Sequence, residues 1–85
     1  MNSPKIKSIK VNSEDYSIIV LFDNGVKKNI DFKGKINEEF YSDLKNKLLF
    51  EQAKVDAGGY GISWNDDIDI SEYELWNMLF YAWLC

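Results

Sequence analysis

Apolar and polar positions alternate most strictly in "VKKNIDF", residues 26 to 32. Val26, Ile30 and Phe32 share one face there, and Lys27, Asn29 and Asp31 share the other. That period of two predicts a strand with one side in water. Before it, "YSIIVLF" (16 to 22) is β-branched and aromatic on both faces and reads as a central strand. "KIKSIKV" (5 to 11) is a weaker first strand. "FDNGV" joins the second and third strands. A two-residue Asn24-Gly25 loop would set Leu21 against Lys28. A three-residue loop with Gly25 in the left-handed bulge position pairs Phe22 with Val26, Ile18 with Ile30 and Tyr16 with Phe32. The second register places apolar side chains opposite each other and is preferred.

The pattern then changes period. Phe40, Leu44 and Leu48 recur every four residues, with Tyr41 beside them. This predicts a short helix over residues 38 to 48, capped by Asn37 and carrying Glu38 and Glu39 in its first turn. In "VDAGGYGISWNDDIDIS" (55 to 71), a two-residue hairpin tip at Gly58-Gly59 pairs Ala57 with Tyr60, Val55 with Ile62 and Ala53 with Trp64. "SEYE" (71 to 74) is a capping box, in which the Ser71 hydroxyl accepts from the third helical amide and Glu74 reaches back to the Ser71 amide. A helix follows to about residue 83. The expected class is α+β: a small antiparallel sheet of about five strands in two hairpins, with two α-helices, in the order β-β-β-α-β-β-α.

The last helix carries more apolar surface than a one-sided helix needs. Leu75, Trp76, Leu79, Phe80 and Trp83 form one stripe, and no charged residue follows Glu74. A small domain has difficulty burying such a helix on every side, so Trp76, Leu79, Phe80 and Trp83 are candidates for a partner interface, in a homodimer or with another protein. A wholly structural role as core is the competing reading.

Composition narrows the chemistry. The 85 residues are expected to form a single domain over 1 to 85, 46% hydrophobic, with net charge −4. No histidine is present, which removes imidazole metal sites and histidine-dependent nucleophiles. The lone Cys85 excludes an internal disulfide and makes a reducing cytoplasm the default. No leader peptide is recognisable in "MNSPKIKSIK", and the longest uncharged run, residues 75 to 85, is shorter than the ~20 residues a bilayer requires. "GGYG" lacks the lysine and hydroxyl residue of a phosphate loop. Asp66, Asp67, Asp69 and Glu72 could be imagined around a hard cation, but Ile70 and Trp76 stand where a calcium loop needs glycine and glutamate. These acids read as a solvated linker near a helix N-terminus. No metal, cofactor or catalytic residue is expected. Seven lysines against four acids bias residues 1 to 37 toward positive charge. A nucleic-acid-associated regulator using a lysine-rich sheet face is the alternative, weakened by the absence of arginine.

"FDNGV" after an apolar strand, then Asp31, then Phe40, Leu44 and Phe50, then "KVDAGGYGISWNDDIDIS" resembles the small bacterial domain-of-unknown-function family 2442. Trp64, Asp66, Asp69, Ile70 and Leu75 fall on its pattern. Asp67 replaces the usual glycine, and Ser71 stands where proline is common. The resemblance implies an α+β fold and no known enzyme activity. It also implies a toxin–antitoxin-type pair, in which this chain would be the antitoxin-like member facing a basic neighbouring-gene product. Some relatives carry an additional helix-turn-helix domain, for which these residues leave no room.

Overall fold

The computed structural model describes residues 3 to 82, and side chains as far as Met78. The elements are β1 (Ile6–Asn12), β2 (Ser17–Phe22), β3 (Lys27–Asp31), 3-10 helices at Lys35–Asn37 and Glu39–Lys45, and a single α-turn α1 (Lys47–Phe50). After these come β4 (Lys54–Val55), a 3-10 turn at Ala57–Gly59, β5 (Gly61–Ser63), β6 (Asp69–Ser71) and α2 (Glu72–Ala82). The class is α+β, as the sequence suggests. Its strands form two antiparallel three-stranded sheets, β1-β2-β3 and β4-β5-β6.

In the first sheet the preferred register holds: Ile18 faces Ile30, the Phe22 amide donates to Val26 O, and the Phe32 amide donates to Tyr16 O. Gly25 adopts φ 89°, the left-handed bulge that a three-residue loop requires. Ile18, Val20 and Phe22 are fully buried on the inner face. A bulge at Lys7 in β1 returns Ile6 to that face, opposite Phe22.

Residues 38 to 48 do not form the expected continuous α-helix, and Asn37 makes no side-chain cap at a helix start. A 3-10 helix repeats every three residues, and Tyr41 and Leu44, spaced by three, are the pair it buries. Phe40 and Leu48, expected in the buried stripe, are 55% and 73% exposed. Asn46 ends the 3-10 run, and its side chain accepts from the Leu48 amide to start α1. That turn delivers Phe50 into an aromatic cluster. Its ring lies 5.3 Å from Tyr16, 5.8 Å from Phe32 and 6.2 Å from Trp64.

The second hairpin keeps its register, Val55 opposite Ile62, but its tip is larger than two residues. The Gly59 amide donates to Asp56 O, closing a 3-10 turn, and the Asp56 amide donates to Gly61 O. Tyr60 is therefore exposed and does not join Ile62 and Trp64 on the buried face. Gly59, with φ 77°, presses on the backbone of β1: a Cβ there would overlap Ile6 O and sit 2.9 Å from Ile6 N. A sixth strand, β6, stands where a solvated linker was expected. Asn65 Oδ1 accepts from the Asp67 and Ile68 amides and tightens the β5–β6 turn, and Ile68 and Ile70 enter the core while Asp67 and Asp69 face water. One hydrophobic core joins both sheets, with Trp64 donating through Nε1 to Phe50 O at 3.1 Å.

Candidate functional site

The candidate site is the outward flank of α2 and the side chains that fix the helix in place. Ser71 is its N-cap: the Glu74 amide donates to Ser71 Oγ at 3.1 Å. The reciprocal half of the expected capping box is absent, because the Glu74 carboxylate accepts from Lys35 Nζ at 2.6 Å. Lys35 also lies 3.8 Å from Glu38 and 5.1 Å from the centre of the Tyr41 ring. Tyr41 donates its hydroxyl to Asp69 O. Burial alone would lower the Lys35 pKa, but the hydrogen bond and charge of Glu74, with the charge of Glu38, outweigh it and raise the value. Burial, and next the Glu74 charge, push the Tyr41 phenol upward.

Beyond the cap, Leu75 is completely buried and anchors α2 to the core. Trp76 is partly buried, edge-on to Phe22 with ring centres 5.0 Å apart. The Lys28 ammonium stands 4.2 Å from the centre of the indole. Burial lowers the Lys28 pKa. Such a stacked cation contributes about 0.5–1 kcal/mol. One turn of α2 thus has a tether to the 3-10 segment (Glu74), a plug in the core (Leu75) and a lid over Phe22 (Trp76). Tyr73 takes no part in this packing and is 62% exposed. Beside it, Asn77 donates to Tyr73 O at 2.7 Å.

Of the four interface candidates, Trp76 is placed at the edge of the core rather than free of it. Leu79 and Phe80 lie within α2, but their side chains, and Trp83 as a whole, are outside the described residues. Sequence reasoning missed Lys28, Lys35 and Tyr41 as neighbours of α2. Lys35 and Glu74 are 39 residues apart, and no local pattern announces such a contact.

The other sequence features do not converge on this flank. Asp66, Asp67 and Asp69 are exposed around the Asn65 turn, and among the described residues no three carboxylate or thiol groups come together as a metal ion requires. Gly58 and Gly59 serve the 3-10 turn. Three of the seven lysines of residues 1 to 37 are engaged elsewhere: Lys28 lies under Trp76, Lys35 is ion-paired, and Lys5 stands 4.8 Å from the Tyr60 ring centre. Among the described residues no helix is long and apolar enough to cross a membrane.

A family model described as "protein of unknown function (DUF2442)" matches residues 8–80. The chain belongs to the DUF2442 family. The matched span starts within β1 and includes both sheets and most of α2, so the elements that hold the candidate flank are family elements. No curated protein and no solved structure matches this DUF2442 chain.

Proposed function

We propose that this DUF2442 chain is a non-catalytic protein-interaction module that receives its partner on the exposed flank of α2. The observation that carries the reading is Tyr73, a large aromatic side chain 62% exposed on a helix already anchored by Glu74, Leu75 and Trp76. Residues 75 to 85, which follow, carry no charge. Tyrosine is among the residues enriched at interface hot spots, and on a helix already held in place little freedom is lost when a partner docks.

Within that reading the chain is the acidic member of a pair, with an antitoxin-like role toward a basic neighbouring-gene product. The net charge of −4 supports this, and so does its distribution, with ten of the fourteen acids in residues 38 to 85. A homodimer through the same flank is the simplest form of assembly it could take. The nucleic-acid alternative has less support, since Lys5, Lys28 and Lys35 are engaged with Tyr60, Trp76 and Glu74, and the sheet face that carries Lys10 and Lys27 also carries Asp31.

The test is solution mass by light scattering, for the chain alone and mixed with the neighbouring gene's product. A stable assembly is expected, weakened by Tyr73→Ser and broken by Trp76→Ala or Trp83→Ala. Among the described residues Tyr73 lies outside the core, so Tyr73→Ser is expected to leave the fold intact. A monomeric mass alone and in the mixture, or assembly indifferent to all three substitutions, overturns the proposal.

A further inference from the structure

The first sheet has a second face, and its chemistry is opposite to that of the acidic half of the chain. Side chains alternate along a strand, so with Ile18, Val20 and Phe22 completely buried, Ile19 and Leu21 project from the other side of β2. Both are only partly covered, and neither is among the partly buried side chains packed against the core. Pairing defines their surroundings. Ile19 lies between Lys10 on β1 and Asn29 on β3, and Leu21 lies between Ser8 and Lys27. These four flanking residues are exposed. The third row of the face, Asn12, Ser17 and Asp31, ends it with a negative charge, and Ser17 donates to Asp15 nearby at 2.6 Å.

The result is an aliphatic strip one strand wide, with a lysine on each side at diagonal positions and a carboxylate at one end. Ile19 and Leu21 are separated by about 7 Å along the strand. Two apolar residues at i and i+4 on one face of an α-helix are separated by about 6 Å. A helix laid along β2 can therefore seat two leucines on Ile19 and Leu21, while glutamates on its two shoulders meet Lys10 on one side and Lys27 on the other. The face polarity also sets direction. The helix N-terminus, with its positive dipole end, belongs toward Asp31, and its C-terminus toward Lys27. A nucleic acid fits less well: the face offers neither an aromatic ring for base stacking nor an arginine, and Asp31 repels phosphate.

We propose that the outer face of the β1-β2-β3 sheet is a docking site for an acidic amphipathic α-helix of a partner protein. This site is separate from the α2 flank and independent of the reading given for it. A chain with both surfaces can hold two partners at once, one on α2 and one on the sheet.

The test uses a synthetic helical peptide with leucines at i and i+4 flanked by glutamates, titrated into isotopically labelled full chain. Shift changes are expected at Ser8, Lys10, Ile19, Leu21, Lys27 and Asn29, weakening as salt rises. Reversing both lysines, Lys10→Glu with Lys27→Glu, is expected to weaken the acidic peptide about tenfold or more. The same variant is expected to gain binding to a peptide with lysines in place of the glutamates, which an unfolded variant could not do. Leu21→Ser is expected to weaken the acidic peptide without reversing its charge preference. No binding of the acidic peptide, shifts on α2 instead of the sheet, equal binding of both peptides by the native chain, or a single-stranded oligonucleotide displacing the peptide from this face would each overturn the proposal. None of these outcomes touches the light-scattering result for Tyr73.

Discussion

Replacing Gly59 by alanine tests how the two sheets are joined, and the cost can be worked from the structure. Gly59 has φ 77° and Gly25 has φ 89°, so an alanine at either site meets the same left-handed penalty of about 1 kcal/mol. At Gly25 the penalty stands alone, because nothing lies within 4 Å of a Cβ there. At Gly59 the Cβ overlaps Ile6 O and comes within 2.9 Å of Ile6 N, both backbone atoms of β1. Neither can rotate away, so the turn must move off the strand. Ile6 is 5% exposed and loses cover when it does. Uncovering an isoleucine side chain costs about 2 kcal/mol, giving a total near 3 kcal/mol. A domain of this length has roughly 4–13 kcal/mol to lose. Urea unfolding followed by tryptophan fluorescence reads both variants. With a slope of about 1 kcal/mol per molar urea, the midpoint is expected to fall by about 3 M for Gly59→Ala and about 1 M for Gly25→Ala. Equal shifts for the two variants would show that Gly59 is a turn residue only and that its approach to β1 carries no weight.

Other substitutions separate local from long-range contacts. Trp64→Phe keeps the ring stack but removes the donor to Phe50 O, and is expected to lower stability by about 1–2 kcal/mol in the same unfolding assay. Ser71→Ala is expected to cost about 1 kcal/mol through the lost cap, while Glu74→Gln costs less than that, because Glu74 does not cap. A double-mutant cycle of Lys35 and Glu74 is expected to yield a coupling below about 1 kcal/mol, and a larger value would mean the pair is better shielded than its exposure implies. Stability is also expected to fall in strongly alkaline solution. Lys35 and Tyr41 hold their protons more tightly when folded than the ordinary 10.5 and 10.0, so the unfolded chain releases them first and their contribution is lost as pH rises through the folded values. Lys28 acts with the opposite sign, since its lowered pKa lets the folded state shed the proton first, so Lys28→Met is expected to steepen the alkaline loss measured by urea midpoints from pH 9 to 11.5.

What the sequence revealed and what it hid divide along a physical line. The first hairpin, the Val55–Ile62 register and the Ser71 cap depend on neighbours close in the chain, and all three were legible. Residues 38 to 48 were not, because spacings of three and four both occur there. Phe40, Leu44 and Leu48 satisfy an α-helix, Tyr41 and Leu44 satisfy a 3-10 helix, and only the core decides between them. β6 had a signal that composition masked. Ile68 and Ile70 alternate with Asp67 and Asp69 as a one-sided strand should, but the carboxylates drew attention to charge and away from period. The choice of Glu74 for Lys35 over its own cap depends on a residue far away in the chain. For the candidate flank, the sequence identified the helix correctly but not which side of it was already occupied.

That occupancy bears on how the helix could serve a partner. Glu74, Leu75 and Trp76 are consecutive, so on a helix they project in directions about 100° apart and cover more than half of its circumference. Each meets a different body: the 3-10 segment, the joint core and the first sheet. A helix held from three directions has little freedom to roll, and Tyr73 is left on the remaining arc. A partner that closes over that arc needs to order only its own side chains, and the entropic cost of docking falls accordingly. Loosening any one of the three contacts would leave Tyr73 in place yet make its direction uncertain. Glu74→Gln and Lys28→Met, neither of which alters the flank itself, are therefore expected to weaken assembly by raising the dissociation rate. If instead they leave it unchanged while Tyr73→Ser abolishes binding, the ring acts alone and the preorganised helix contributes nothing.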